Sequence, residues 1–114
     1  MKTHTISFQH AWAGLLHALL TQPNFIIHLG LSLLVVIAAL LTHITALYWL
    51  ILALTITIGL VIELLNTAIE STVDLATSDF HPLAKIAKDT AAAAMLVYAV
   101  GAVVIALIIF IPQL

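Results

Sequence analysis

Residues 46–75 read ALYWLILALTITIGLVIELLNTAIESTVDL, and this stretch decides the fold of the chain. Its first part, up to Ile62, is apolar and uncharged. A helix needs about 20 such residues to cross a bilayer, and this part is nearly that long. The helical pattern then continues past Ile62 through a segment that carries three carboxylates. The stretch therefore predicts a helix that crosses the membrane and presents acidic groups where it leaves it.

The composition of the whole chain supports a membrane protein. Hydrophobic residues make up 64% of the 114 residues and charged residues 7%, with a mean hydropathy of +1.27. A soluble domain of this size cannot bury so much apolar surface. The chain has three lysines, no arginine and no cysteine. These counts exclude a basic nucleic-acid interface, disulfides and thiolate metal sites.

The apolar pattern predicts an all-α integral membrane protein made of one domain, residues 1–114. An amphipathic surface helix is expected first, followed by three transmembrane helices; the four ranges are about 5–21, 24–42, 46–75 and 83–111. Asn24 is a candidate N-cap for the first spanning helix, and Pro82 fits the first turn of the third.

The lysines predict the orientation. Three spans place the N-terminus and residues 75–90 on one side of the membrane, so Lys2, Lys85 and Lys88 all lie there. The positive-inside rule makes this side cytoplasmic. We expect a multi-pass protein of the inner (cytoplasmic) membrane with a cytoplasmic N-terminus.

The polar chemistry is concentrated on one helix face, here called the acidic face: Glu63, Asn66, Glu70 and Asp74. Their spacing of three, four and four residues keeps them within an arc of about 80°. A lone carboxylate at a helix end can simply mark the membrane boundary, but ionisable groups near the hydrocarbon core usually serve a function. Magnesium and a phosphate-bearing substrate suit this face, since Mg²⁺ prefers hard oxygen ligands and bridges to phosphates. Lys88 opens the next helix at the same membrane surface and can meet phosphates as a point charge.

Two blocks of sequence resemble a known family. Residues 63–70 read ELLNTAIE, with Asp74 following, and residues 81–93 read HPLAKIAKDTAAA. Both resemble the prokaryotic diacylglycerol kinase family of small membrane lipid kinases, and the second block looks more like its undecaprenol kinase branch. The resemblance extends upstream through Trp12-Ala13-Gly14 and Asn24-Phe25 and covers nearly the whole chain.

The resemblance implies a homotrimer that transfers a phosphoryl group from MgATP to a lipid hydroxyl at the cytoplasmic interface. It implies that Glu63 is the general base, that Asn66 orients groups beside it and that Glu70 binds magnesium. The nucleotide-binding set that it implies is Asp74, His81, Lys88 and Asp89, with His10 of the surface helix as an additional candidate.

The sequence departs from the family pattern before the first span. A second metal-binding glutamate is usual there, and Gln22 occupies its position. An amide offers an oxygen but no charge, so Gln22 is at best a weak magnesium ligand. The basic residues common around the first span and on the surface helix are also missing, with Ile26 and Ala13 at two of these places.

Several functions remain open from the sequence. The acceptor of an active lipid kinase is expected to be undecaprenol or a related polyprenol, with diacylglycerol as the runner-up. Gln22 and the missing cations motivate a second hypothesis, a non-catalytic or weakly active family member. A small ion-conducting oligomer is a third, which the Lys88-Asp89 block disfavours.

Overall fold

A computed structural model describes residues 7–114, which are almost entirely helical. The elements are α1 (Phe8–Thr21), α2 (Pro23–Thr42), α3 (Ala46–Ala76), α4 (Pro82–Phe110) and a short 3-10 turn (Ile111–Gln113). No strand forms within this part of the chain. The predicted architecture, an N-terminal helix followed by three helices long and apolar enough to cross a membrane, is confirmed. Lys2 and the predicted first residues of α1, Thr5 and Ile6, lie outside the described residues.

Side-chain hydroxyl groups cap the N-termini of α1 and α3. Ser7 caps α1 by accepting a hydrogen bond from the His10 main-chain N–H at 3.4 Å. Thr45 caps α3 by accepting one from the Tyr48 N–H, also at 3.4 Å. Each hydroxyl satisfies one of the donors that a helix leaves unpaired at its N-terminus.

The prediction of Asn24 as the N-cap of α2 is wrong. The cap is Gln22, in extended conformation, and Pro23 occupies the first helical turn. Proline fits this position because its ring fixes φ near the helical value and its missing N–H would be unpaired there in any case. Pro82 takes the equivalent place in α4.

Helix α1 carries an apolar stripe on its outer surface. Phe8, Trp12, Leu16 and Leu20 recur every fourth residue, and all four are exposed. Residues four apart share one helix face. An exposed apolar stripe on a helix too short to span the membrane suits a helix that lies in the interface.

Helix α3 is the centre of the bundle. It packs against both α2 and α4. A buried cluster lies next to the turn between α2 and α3, and it consists of Ala39, Ile44, Leu52 and Ile109. The chain reverses there through His43, whose φ of 52° is the left-handed conformation that ends α2. The bundle is therefore closed at this end, and the charged residues of the described part of the chain lie at the other.

Candidate active site at the polar end of the bundle

The acidic face lies where α3 leaves the apolar part of the membrane. About 20 helical residues cross the hydrocarbon core, so a span that begins at Ala46 ends near Asn66. The same count back from Phe110 along α4 ends near Ala91. Glu63 and Asn66 therefore lie at the boundary, and Glu70, Asp74, Lys88 and Asp89 lie beyond it.

Glu63 is the buried carboxylate of the site. Its side chain is 2% exposed, and Thr67 lies buried one turn further along α3. The Thr67 hydroxyl donates to the Glu63 main-chain carbonyl at 3.1 Å, not to the carboxylate. Within residues 7–114 the Glu63 carboxylate has no hydrogen-bond partner. A buried carboxylate without a donor is costly, so this group is available to a substrate.

Asn66 lies between Glu63 and the exposed part of the acidic face. Its amide nitrogen donates to Glu70 Oε1 at 2.8 Å, one turn along the helix. Its Oδ1 is buried and has no hydrogen-bond partner within residues 7–114. Buried polar atoms are normally hydrogen-bonded, so the orphan oxygen marks a place where a ligand donor, such as a hydroxyl, can bind.

A groove runs from this pair into the apolar part of the bundle. Its volume is about 580 Å³, and its wall is mostly aliphatic. Glu63 and Asn66 line one end, and Leu52, Val35 and Ala106 line the part near the closed end of the bundle. We call it the α2–α4 groove, since α2 and α4 form its sides and α3 its floor. Its shape suits an apolar chain with a polar head at Glu63.

Cations lie beside the carboxylates beyond the boundary. Lys88 Nζ donates to Asp74 Oδ1 at 2.6 Å and so links α4 to α3. Asp89 instead pairs with Lys85, one turn earlier on α4. His81 caps α4, because its Nδ1 accepts from the Leu83 N–H at 3.1 Å. The structure thus brings Asp74 and Lys88 together and holds His81 and Asp89 at the start of the same helix.

Gln22 and His10 are not joined to this cluster. The Gln22 amide donates to its neighbour Thr21 at 3.2 Å, and His10 is exposed on α1. Residues 7–114 contain no group of three or more acidic, histidine or cysteine side chains that would hold a metal ion. The donor chemistry nevertheless fits magnesium, because Glu70 is exposed and Mg²⁺ usually takes one or two carboxylates together with waters and substrate phosphates.

Sequence reasoning missed one part of the groove. His28 of α2 and Tyr98 of α4 both line the groove, and neither belongs to the predicted site. Their rings lie 5.6 Å apart between centroids, and they meet over Gly59. The one available signal was a lone glycine inside an apolar helix, one turn before Glu63.

Comparison with known proteins shows the family. The model of the prokaryotic diacylglycerol kinase family matches residues 9–110. The chain belongs to this family. It is 46% identical over 110 residues to a diacylglycerol kinase of Synechocystis, a match that covers 96% of this chain and 63% of that protein. The chain thus spans less than two thirds of the length of that relative.

Two further relatives are covered more fully. The chain is 45% identical over 108 residues to an undecaprenol kinase of Bacillus subtilis. This match covers 95% of this chain and 88% of the relative. It is 32% identical over 95 residues to a diacylglycerol kinase of Escherichia coli. This match covers 83% of this chain and 78% of the relative. The family and the three apolar helices indicate a multi-pass membrane protein, and these relatives are named as lipid kinases.

Proposed function

We propose that this protein transfers the γ-phosphate of ATP to the hydroxyl of a membrane lipid, undecaprenol or diacylglycerol, at the cytoplasmic face of the inner membrane. The observation that carries the proposal is the head of the α2–α4 groove. Within residues 7–114, the buried Glu63 and the unpaired Asn66 Oδ1 lie together there, where an apolar groove meets charged groups. A lipid alcohol has the matching form, since its chain fits the groove and its hydroxyl reaches the polar pair.

Glu63 is the proposed general base. Its carboxylate takes the proton of the lipid hydroxyl while that oxygen forms a bond to the γ-phosphorus. The bond between the γ-phosphorus and the β–γ bridging oxygen breaks, and ADP leaves. Asn66, whose amide nitrogen donates to Glu70 Oε1, helps to orient the groups beside Glu63. Phosphoryl transfer depends mainly on such positioning and on charge neutralisation.

The groups beyond the boundary are the proposed nucleotide site. Lys88 would meet the phosphates, and its ammonium group forms an ion pair with Asp74 of α3. Asp89 and His81 lie on the same end of α4 and complete the set, with His10 as a further candidate. Glu70 would hold Mg²⁺, with Gln22 as a weak additional ligand, and the metal when bound would neutralise charge on the phosphates.

The proposal includes the oligomeric state of the protein. We expect a homotrimer, as the family resemblance implies. Cross-linking of the protein in detergent, followed by electrophoresis, measures the number of chains directly. A species of three chains is expected, and a monomer that retains full activity would contradict it.

Phosphate transfer in lipid bilayers tests the proposed reaction. The purified protein receives labelled ATP and magnesium with undecaprenol, with diacylglycerol or with no added lipid, and the lipid fraction is counted. Label is expected in the lipid only when an acceptor is present. Asp79→Asn, which removes an exposed carboxylate from the loop before α4, should leave transfer unchanged. Absence of labelled lipid with both acceptors would instead favour a non-catalytic family member.

A further inference from the structure

Two rings bridge the α2–α4 groove. His28 of α2 and Tyr98 of α4 lie 5.6 Å apart between centroids, with their planes tilted by 31°. The main chain of Gly59 lies directly beneath them, and a Cβ atom at this position would collide with both rings. We call this contact the ring bridge.

Tyr98 is fixed in this position. Its hydroxyl donates to the Thr55 main-chain carbonyl at 2.7 Å, so the ring is tied to α3 one turn before Gly59. Its only O–H is therefore occupied, and the Tyr98 ring meets the groove as a flat apolar surface. The ring bridge is thus a fixed narrowing of the groove rather than a second polar site.

The ring bridge lies close to the proposed reacting atoms. Gly59 and Glu63 are four residues apart on one face of α3, which is about 6 Å along the helix axis. The bridge therefore crosses the groove one turn from Glu63. It separates a head part, lined by Glu63 and Asn66, from a tail part, lined by residues such as Leu31 and Leu52.

We propose that the ring bridge makes the groove selective for a membrane alcohol with one apolar chain over a lipid with two chains. The proposal rests on the proposed function. With the hydroxyl at Glu63, only one helical turn separates the reacting oxygen from the bridge. In diacylglycerol the two chains diverge within a few bonds of the hydroxyl, so both reach the narrowing together. A polyprenol brings a single chain to the same level. His28 and Tyr98 are accordingly specificity-determining residues.

Competition between two acceptors tests the ring bridge. The ratio of kcat/KM for diacylglycerol to kcat/KM for undecaprenol is measured in bilayers for wild type, His28→Ala and Tyr98→Ala. Removing a ring widens the passage, and the ratio is expected to rise about tenfold, since a change of a methylene or more in an apolar pocket alters discrimination by at least that much. Tyr98→Leu is a smaller change that serves if the alanine variant does not fold.

Two controls separate ring volume from other effects. Tyr98→Phe removes the hydrogen bond to Thr55 but keeps the ring, so the ratio should change far less than in Tyr98→Ala. His17→Ala removes an exposed histidine of α1 and should change neither the ratio nor the turnover.

The outcomes distinguish this inference from the proposed function. A ratio that stays unchanged in all the ring-removing variants, while both lipids are phosphorylated, would overturn the role of the ring bridge alone. A wild-type protein that prefers diacylglycerol would also overturn it. If wild type phosphorylates neither lipid, the proposed function falls and the selectivity falls with it.

Discussion

At the scale of single residues, the site is defined by how differently its polar groups are paired. Asn66 and Glu70 satisfy each other in part, and Asp74 holds Lys88. Asn66 Oδ1 is buried and has no partner within residues 7–114, and the Glu63 carboxylate, on a residue that is 2% exposed, receives no hydrogen bond in this part of the chain. Unpaired polar atoms in buried positions are rare, and they often mark a ligand or catalytic role. The unpaired atoms are thus those proposed to contact the lipid hydroxyl, and the paired groups stabilise the arrangement of the acidic face.

Magnesium dependence tests the proposed roles of Glu70 and Gln22. Glu70→Ala should remove magnesium-dependent ATP binding, because it deletes the chief protein ligand. Gln22→Glu should lower the magnesium concentration needed for activity, because it adds a negative charge near a cation. Both are measured by magnesium titration of transfer and of nucleotide binding. An unchanged or raised requirement in Gln22→Glu would show that residue 22 does not face the metal.

ATP affinity tests the proposed role of Lys88. Lys88→Met should raise the KM for ATP without lowering the thermal stability appreciably, because its ion pair with Asp74 is exposed and such pairs contribute little to stability. Lys85→Met is the matched control, since it breaks the exposed pair with Asp89 on the same helix and should have a smaller effect on KM. Equal effects of the two substitutions would contradict a specific phosphate contact at Lys88.

At the scale of helices, the length of α3 determines where the chemistry lies. Its 31 residues extend about 46 Å, compared with about 30 Å for the hydrocarbon core of a bilayer. The surplus carries Glu70 and Asp74 out of the membrane but leaves Glu63 at its boundary. Since α4 is nearly as long, Lys88 reaches the same level as Asp74.

Cysteine labelling tests the predicted topology. The natural chain has no cysteine, so single substitutions label cleanly. Thr45→Cys, between α2 and α3, and Ser78→Cys, between α3 and α4, should react from opposite sides of sealed vesicles with a membrane-impermeant reagent. The positive-inside rule places residue 78 on the cytoplasmic side. Labelling of both from the same side would contradict three membrane crossings.

The elements that the sequence predicts best are those that depend on local pattern. The apolar run of α3 and the spacing of the acidic face follow from residues close together in the chain. The first residue of α2 was harder to predict, because an Asn24 cap and a proline in the first turn are both favourable. The structure has Pro23 in the first turn and Gln22 as the cap. The ring bridge could not be predicted, since it joins His28 to Tyr98 through a close approach that depends on Gly59.

At the scale of the whole molecule, the buried apolar cluster and the proposed site lie towards opposite ends of the bundle. The buried cluster of Ala39, Ile44, Leu52 and Ile109 closes the end near the turn between α2 and α3. The charged groups and the head of the groove lie at the other end, and the groove extends from there to Leu52 and Val35. A tightly packed end can hold the helices in register while the site end admits a lipid from the side.

A pair of leucines on α3 tests this division. Leu52→Ala should lower the free energy of unfolding in detergent by about 2 kcal/mol or more, because Leu52 is 3% exposed and its loss leaves a cavity. Leu54→Ala, two residues away and 54% exposed, should have a much smaller effect. Equal destabilisation would show that the cluster does not hold the bundle together.

Turnover of the Glu63→Gln variant tests the central claim, that a buried carboxylate at the head of a lipid groove activates the acceptor. Glutamine keeps the shape of the side chain but is not a base, and a general base usually contributes about a hundredfold or more. Phosphate transfer from labelled ATP to undecaprenol and to diacylglycerol should therefore fall by at least that factor. ATP binding, measured on the same preparation, should stay near the wild-type value. Near-normal transfer in Glu63→Gln would contradict the account, because the reaction would then proceed without the one residue around which the site is built.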